Sequence, residues 1–156
     1  MGAACSGVTS AVLKNVAMST GVLMISPSAT SPALSTEPDN DLFFRTAPSD
    51  ARQGEVIADL LMEKGFKSAA LTHTNNDYGK GLAASIKKNY EAKGGKITIT
   101  ASHEDGKGDY SSEVAALALF MDAWYGESAS EISFPDARLV IEGANDGKIV
   151  HESEEE

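Results

Sequence analysis

Residues 68–102 read SAALTHTNNDYGKGLAASIKKNYEAKGGKITITAS, and this stretch decides the fold class. Its first part, Ser68–Thr74, is a short apolar run typical of a buried strand. A polar turn and a helical pattern that stops at Gly94-Gly95 follow, and Lys96–Ser102 then alternates as a strand does. A strand, a helix and a second strand at this spacing predict a right-handed βαβ unit with a parallel sheet.

The segments on both sides continue this alternation. The predicted elements before it are a helix over residues 5–20 that begins near Ser6 or Thr9, a buried strand over 21–25, an extended segment over 41–47, and a helix over 53–64 that Gly65 ends. After it, another helix is predicted to begin near Ser111 or Ser112. The predicted fold is therefore α/β, a three-layer α/β/α sandwich with a mainly parallel sheet.

Composition and charge narrow the function classes. The chain has 156 residues with 42% hydrophobic residues and a formal net charge of −10, which indicates a folded, acidic protein. Nucleic acid is not expected as a partner, because phosphate contacts need a basic surface. The sequence has no apolar run of about 20 residues, and its first residues lack the pattern of a secretory signal.

The C-terminal third differs from the rest of the chain. All of the acidic excess lies after residue 103, and residues 151–156 read HESEEE, which predicts a solvated acidic tail. Residues 121–150 have no clean period. Two strand-like pieces, Arg138–Ile141 and Lys148–Val150, flank the turn Asn145-Asp146-Gly147 and predict a hairpin.

The residues give little support to catalysis, metal binding or a cofactor. There is a single cysteine, Cys5, and the histidines at 73, 103 and 151 have no ligand-like spacing. Cys5 itself is either a small buried side chain at the start of a helix or half of a disulfide with an absent partner. The run Gly79–Ala84 fits the dinucleotide pattern G-x-G-x-x-A. That pattern needs its first glycine directly at the end of the strand, whereas residues 75–78 lie between them here. The glycines are therefore expected to allow close packing of the helix on the sheet. No metal, cofactor or catalytic residue is predicted.

Small hydroxyl residues recur where a helix begins and where a strand ends. They are Ser6 and Thr9 in the first case, and Ser28-Ala29-Thr30 in the second. Exposed backbone N–H groups together with hydroxyls can hold a carboxylate, which predicts a small anionic or zwitterionic ligand. The residues leave open the alternative that the hydroxyls only cap helices.

Several long motifs in register carry a family resemblance: CSGVTS, GVLMISPSATSPALS, FFRTAPSDARQG, NNDYGKGLA and HEDGKGDYSSEVAAL. The chain resembles the type I periplasmic binding proteins of ABC transporters, in the branched-chain amino-acid (leucine/isoleucine/valine) group. The resemblance runs from about Gly2 to Leu117. It implies two α/β lobes that close on an amino acid held between them.

The resemblance also implies residue roles. Ser6 and Ser28-Ala29-Thr30 are expected to bind the α-carboxylate and amino groups from lobe one, and Tyr78 is expected to approach from lobe two. Phe43–Ala47 corresponds to a crossover strand, and Asp50–Gly54 to the start of the first helix of lobe two. The expected domains are a partial lobe-one segment (1–44), a lobe-two core (45–120), a poorly assigned segment (121–150) and the acidic tail (151–156).

Family members are more than twice as long, so the chain is expected to be a fragment or a shortened form. The partners that the resemblance implies are an amino-acid ligand and the membrane permease of an ABC transporter, in the periplasm. A lobe that lacks its neighbours exposes its surface, which predicts a homodimer and weak ligand binding.

The leading hypothesis is a non-enzymatic, substrate-binding component for branched-chain or related amino acids. Two alternatives remain at this point. One is a flavodoxin-like redox or nucleotide-binding domain that uses the turn Asp77–Ala84, and the other is an interaction module without a small ligand.

Overall fold

Parallel strands and the helices that connect them make up the part of the chain that the structure describes, residues 2–117 and 140–141 of a computed structural model. In chain order the elements are α1 (Ser6–Val12), a π-helical turn (Leu13–Ala17), α2 (Met18–Thr20), β1 (Met24–Ser26), a 3-10 helix (Pro32–Ser35), β2 (Phe43–Arg45), α3 (Asp50–Glu63), β3 (Ser68–Thr74), α4 (Asp77–Ala92), β4 (Lys96–His103), α5 (residues 111–117) and β5 (Val140–Ile141). The predicted α/β fold is confirmed.

The first sheet consists of β1 and β2, which pair in parallel with Met24 opposite Phe43. Because side chains alternate along a strand, each strand buries one face. The buried side chains of this half form one core with the helical residues before β1: Leu13, Ala17, Met24, Ala29, Leu34 and Phe43. The opposite face carries Ile25 and Phe44, which are 42% and 50% exposed. This sheet is therefore covered on one side only by the described residues.

The second sheet has the order β4-β3-β5, and both of its strand pairs are parallel. The predicted βαβ unit is thus confirmed: β3 and β4 are neighbours, and α4 connects them. Its core joins α3 and α4 to the strands through Ala58, Leu61, Leu71, Leu82, Ile86, Tyr90 and Ile97. Tyr90 is fully buried, and its hydroxyl donates a 2.8 Å hydrogen bond to the Phe66 carbonyl. The two cores share no member.

Side-chain caps set the starts of the two long helices. The Ser49 hydroxyl accepts a hydrogen bond from the Ala51 amide, so α3 begins at Asp50, three residues before the apolar pattern at 53–64. Asn76 accepts one from the Gly79 amide in the same way and starts α4. At the C-terminal ends, Gly65 and Gly94 adopt φ angles of +81° and +89°, which a side chain would disfavour.

The helix predicted over residues 5–20 is present with one interruption. A π-helical turn at Leu13–Ala17 separates α1 from α2. Single π-turns inside helices are uncommon and shift the register of the faces by one residue. Here the turn directs both Leu13 and Ala17 into the core of the first sheet.

The C-terminal predictions are only partly within the described residues. The helix expected near Ser111 or Ser112 is confirmed, since residues 111–117 are helical. Val140–Ile141 forms β5 and pairs in parallel with β3. The rest of the predicted hairpin and the tail 151–156 lie outside the described residues.

Candidate functional site

Ser6 connects the start of α1 to the loop that follows β1. It is buried, and its hydroxyl oxygen accepts a 3.2 Å hydrogen bond from the Ser31 amide. The N-cap position of α1 is Cys5, and no side chain caps the helix. The alternative that the Ser6 and Thr9 hydroxyls only cap α1 is therefore wrong. Cys5 is an exposed free thiol, which also excludes the buried alternative for that residue.

The loop Ser28–Ser31 is held by hydrogen bonds from several directions. The Ala29 amide donates to the buried Ser26 hydroxyl at 3.0 Å, and the Thr30 carbonyl accepts from the Asp50 amide at 2.9 Å. The Ser28 hydroxyl donates to the Ala4 carbonyl at 3.1 Å. The loop therefore has a defined shape without a ligand.

Thr30 and Ser28 differ in which polar groups lack a hydrogen-bond partner. Among residues 2–117, no acceptor takes the Thr30 amide, whereas the Ser28 hydroxyl already has the Ala4 carbonyl. A free N–H donor beside a hydroxyl suits one oxygen of a carboxylate. Thr30 is thus the residue of this loop that is best equipped to bind an anion.

Arg45, at the end of β2, contacts the same loop. Its Nη1 donates to the Ser31 carbonyl at 2.9 Å and to the Ala29 carbonyl at 3.4 Å, and its Nη2 donates to the Ser35 hydroxyl. The two carbonyls lie on either side of Thr30 in the sequence. The Arg45 guanidinium therefore binds the residues on both sides of Thr30, whose own amide has no acceptor among residues 2–117.

Asp50 is the polar group that sequence reasoning missed. Its residue is 1% exposed, and neither carboxylate oxygen has a hydrogen-bond partner among the described residues. Burial raises the pKa of the Asp50 carboxyl, while the Thr30 side chain and the Arg45 charge oppose the rise. A buried carboxyl group without an ion pair is costly to ionise, and a cation bound beside it would offset that cost.

In the sequence, the pattern around Asp50 indicates only the start of a helix. Ser49-Asp50 follows Pro48, which is a typical helix start, and an acidic residue in a first helical turn is common. Nothing in that pattern distinguishes an acid that faces solvent from one that is buried. Only the fold of β2 onto β1 brings Asp50 beneath Thr30.

Tyr78 lies on the other half of the molecule, in the first turn of α4. It is partly buried against the core of the second sheet and lines a small cavity with Thr72 and His73. The first turns of α4 approach the first half closely: a side chain at Gly7 would contact Asp77, and one at Gly81 would meet Pro32. These contacts bring the start of α4 beside α1 and the 3-10 helix.

A groove of about 710 Å³ lies along this junction. Its walls include Ser6 and Ser31 from the first half, and Asp77 and Gly81 from α4. Of the predicted site residues, only Ser6 lines it. Ser6 contacts the loop that contains Ala29 and Thr30. The Ser28 hydroxyl binds the Ala4 carbonyl instead, and Tyr78 lies on α4 in the other half of the molecule.

The glycines of the dinucleotide-like run serve packing. A methyl group at Gly79 would collide with the carbonyl and hydroxyl of Thr74, and one at Gly81 with Pro32. Both glycines therefore allow close approach of α4 to its neighbours. Among residues 2–117 and 140–141, no group of three His, Cys, Asp or Glu side chains could hold a metal ion, and no helix is long and apolar enough to cross a membrane.

Comparison with known proteins gives consistent matches. The sequence pattern of a family described as "Receptor family ligand binding region" matches residues 1–121. The "Leucine-, isoleucine-, valine-, threonine-, and alanine-binding protein" of Pseudomonas aeruginosa is 36% identical over 98 residues, which are 62% of this chain and 26% of that protein. The "Leu/Ile/Val-binding protein homolog 3" of Brucella melitensis is 37% identical over 110 residues, covering 67% and 28% of the two chains.

A solved structure is similar over most of the described fold. It is an ABC transporter substrate-binding protein from Desulfitobacterium hafniense in complex with Leu, with a TM-score of 0.62 and 26% sequence identity. The match covers 80% of this chain and 35% of that one. The chain spans about a quarter of the length of the curated relatives and about a third of this structure.

Proposed function

Since the chain belongs to the receptor ligand-binding-region family, in the branched-chain amino-acid group of the type I periplasmic binding proteins, we propose that it binds an amino acid for an ABC transporter. In this proposal the chain is a fragment or shortened form of the substrate-binding component. It recognises branched-chain or related amino acids and catalyses no reaction. The names of its relatives and the Leu-bound structure support this substrate class.

The buried Asp50 carboxylate is the observation that carries the proposal. Its two oxygens have no partner among the described residues, and the carboxyl lies next to the loop of Thr30. The α-ammonium group of an amino acid would supply the missing cation and three donors. We therefore add Asp50 to the proposed site.

The α-carboxylate would bind on the other side of the same loop. Thr30 offers its amide, and Ser6 offers a hydroxyl at the start of α1. Ser28 and Ala29 would act by shaping the loop, because the Ser28 hydroxyl is engaged by the Ala4 carbonyl and the Ala29 amide by the Ser26 hydroxyl. Tyr78 would close over the ligand from the second half.

The domain boundaries and the partners are parts of the same proposal. Two separate cores support a lobe-one segment over residues 1–44 and a lobe-two core over 45–120. The partner of the loaded protein would be the membrane permease of the transporter, and the compartment would be the periplasm. The exposed face of Ile25 and Phe44 supports a homodimer of this chain.

Amide-shift titration of the labelled chain tests the amino-acid site. L-leucine should shift the amides of Ser6, Thr30 and Asp50, with weak affinity because an open half-site encloses little of the ligand. Two analogues separate the two ends of the site: 4-methylpentanoate lacks the ammonium group and leucinamide lacks the carboxylate. Both should bind at least ~10-fold more weakly than leucine, since each loses a charge-assisted contact.

The variant Asp50→Asn should abolish the leucine shifts. The matched control is Asp59→Asn, the same change on the same helix at an exposed carboxylate that pairs with Lys93. That control should bind leucine as the unmodified chain does. Sub-micromolar leucine binding would contradict the weak half-site, and equal binding by Asp50→Asn would contradict the role of Asp50.

A further inference from the structure

Arg45 is a half-buried cation whose charge acts on the Asp50 carboxyl group, although the two form no ion pair. The Arg45 charge acts on Asp50, yet it donates no hydrogen bond to either Asp50 oxygen. A guanidinium can bind a carboxylate through a bidentate pair. The contacts of Arg45 explain why they do not do so here.

The donors of Arg45 are committed to the loop that carries Thr30. One nitrogen, Nη1, binds the Ser31 and Ala29 carbonyls, and Nη2 binds the Ser35 hydroxyl. These acceptors come from two consecutive segments, the loop after β1 and the 3-10 helix. The planar fork of an arginine can join them in one rigid arrangement, which a flexible ammonium cannot reproduce.

We propose that Arg45 is a positioning residue of this site: its guanidinium fixes the loop on both sides of Thr30, and so leaves the buried Asp50 carboxyl group without an ion pair and available to a ligand cation. This inference rests on the proposed amino-acid site and extends it to a residue that touches no ligand. A cation can donate hydrogen bonds and can act on other groups through its charge, and Arg45 does each of these on a different group. Its hydrogen bonds go to the loop, and its charge alone acts on Asp50.

Replacing Arg45 should have two effects, one on the loop and one on Asp50, and a residue with only a structural role would not produce both. Loss of the fork loosens the loop, because the Ala29 and Ser31 carbonyls lose a charged donor. Loss of the charge leaves burial opposed by the Thr30 side chain alone, so the pKa of Asp50 rises further. Arg45→Lys removes the fork and keeps the charge, whereas Arg45→Met removes both.

The test uses the full chain without ligand and reads two signals by NMR. The first is the pH titration of the Asp50 carboxyl carbon, and the second is hydrogen exchange at the Ala29 and Ser31 amides. In Arg45→Met the Asp50 midpoint should move to higher pH, and both amides should exchange about 10-fold faster or more. In Arg45→Lys the amides should exchange faster while the Asp50 midpoint stays near that of the unmodified chain.

Arg52→Met is the matched control. Arg52 lies on the first turns of α3, is exposed, and pairs with Glu55 at 2.6 Å, so its loss should change neither signal. An unchanged Asp50 midpoint in Arg45→Met, or unchanged loop exchange in Arg45→Lys, would overturn the proposal. If Arg45→Met does not fold, the pair of signals in Arg45→Lys decides the question alone.

The outcome is independent of the proposed function. Both signals are measured without an amino acid, so they can appear in a chain that binds no leucine. A leucine titration of the same variants then separates the two ideas. Intact Arg45 signals with no leucine shifts in the unmodified chain would reject the amino-acid function and leave the positioning role.

Discussion

At the scale of single residues, Asp50 and Thr30 each have a polar group that the fold leaves without a hydrogen-bond partner among the described residues. The Asp50 carboxylate is buried without a partner among the described residues, and the Thr30 amide is left free beside it. Unpaired polar groups of this kind cost folding free energy. In the proposed site, a bound amino acid would satisfy both groups and offset that cost.

We expect Asp50→Asn to stabilise the ligand-free chain at neutral pH. Burial raises the folded-state pKa of Asp50 above its unfolded value, so the stability linked to protonation is complete below the unfolded pKa. It is lost as the pH rises through the folded pKa. The asparagine has no charge to desolvate, and the free energy of unfolding should increase by about 1–3 kcal/mol at pH 7.

Urea denaturation at several pH values measures this effect. The advantage of Asp50→Asn should shrink as the pH falls through the raised pKa, because the native aspartic acid then becomes neutral as well. Asp59→Asn is again the control, and its difference from the unmodified chain should not follow that pattern. A less stable Asp50→Asn at pH 7 would show that the carboxylate has a partner.

At the scale of elements, the predictions succeeded where local pattern and burial agree. The apolar run of β3, the alternation of β4 and the glycine at 65 each identified an element correctly. The register break at Leu13–Ala17 was missed, because a π-turn depends on which side chains the core accepts, and spacing alone does not show this.

The site was predictable to the extent that it is local. The hydroxyl clusters identified Ser6 and Thr30 as candidate residues, and the resemblance gave them a ligand; that assignment stays a proposal. Asp50 and Arg45 could not be found in this way. Their relation to Thr30 arises from the parallel pairing of β1 with β2, which brings residues about 15 to 20 positions apart in the sequence into contact.

Gly79→Ala should weaken the packing of α4 on β3. The added methyl would overlap the backbone and hydroxyl of Thr74, and neither group can move away as a flexible side chain would. We expect a loss of about 1–3 kcal/mol in the free energy of unfolding, typical of an overpacked contact. Gly108→Ala is the control because no atom lies within 4 Å of the added methyl there. Equal urea midpoints for both variants would contradict the packing role of Gly79.

At the scale of the whole molecule, the two sheets differ in how much of their surface other elements cover. The second sheet lies against α3 and α4, with β5 as a further strand. The first sheet has only two described strands and exposes Ile25 and Phe44 side by side, as register partners. Parallel sheets are usually covered on both faces, so this face is a candidate contact surface.

We therefore expect self-association that depends on this face. In sedimentation equilibrium the weight-average mass should rise above 16.3 kDa with concentration, and Phe44→Ser should bring it back toward the monomer. The matched control is Val56→Ser on α3, where the valine is 49% exposed but belongs to the other half. A constant monomer mass across concentrations would reject the homodimer.

The exposed thiol of Cys5 gives the chain a built-in attachment point. It is the sole cysteine, and it immediately precedes Ser6, whose hydroxyl accepts a hydrogen bond from the Ser31 amide in the loop Ser28–Ser31. A maleimide dye would therefore attach at one position, a single residue away from the proposed site. Its emission would report amino-acid binding at the proposed site, so the sequence already has the layout of an optical sensor.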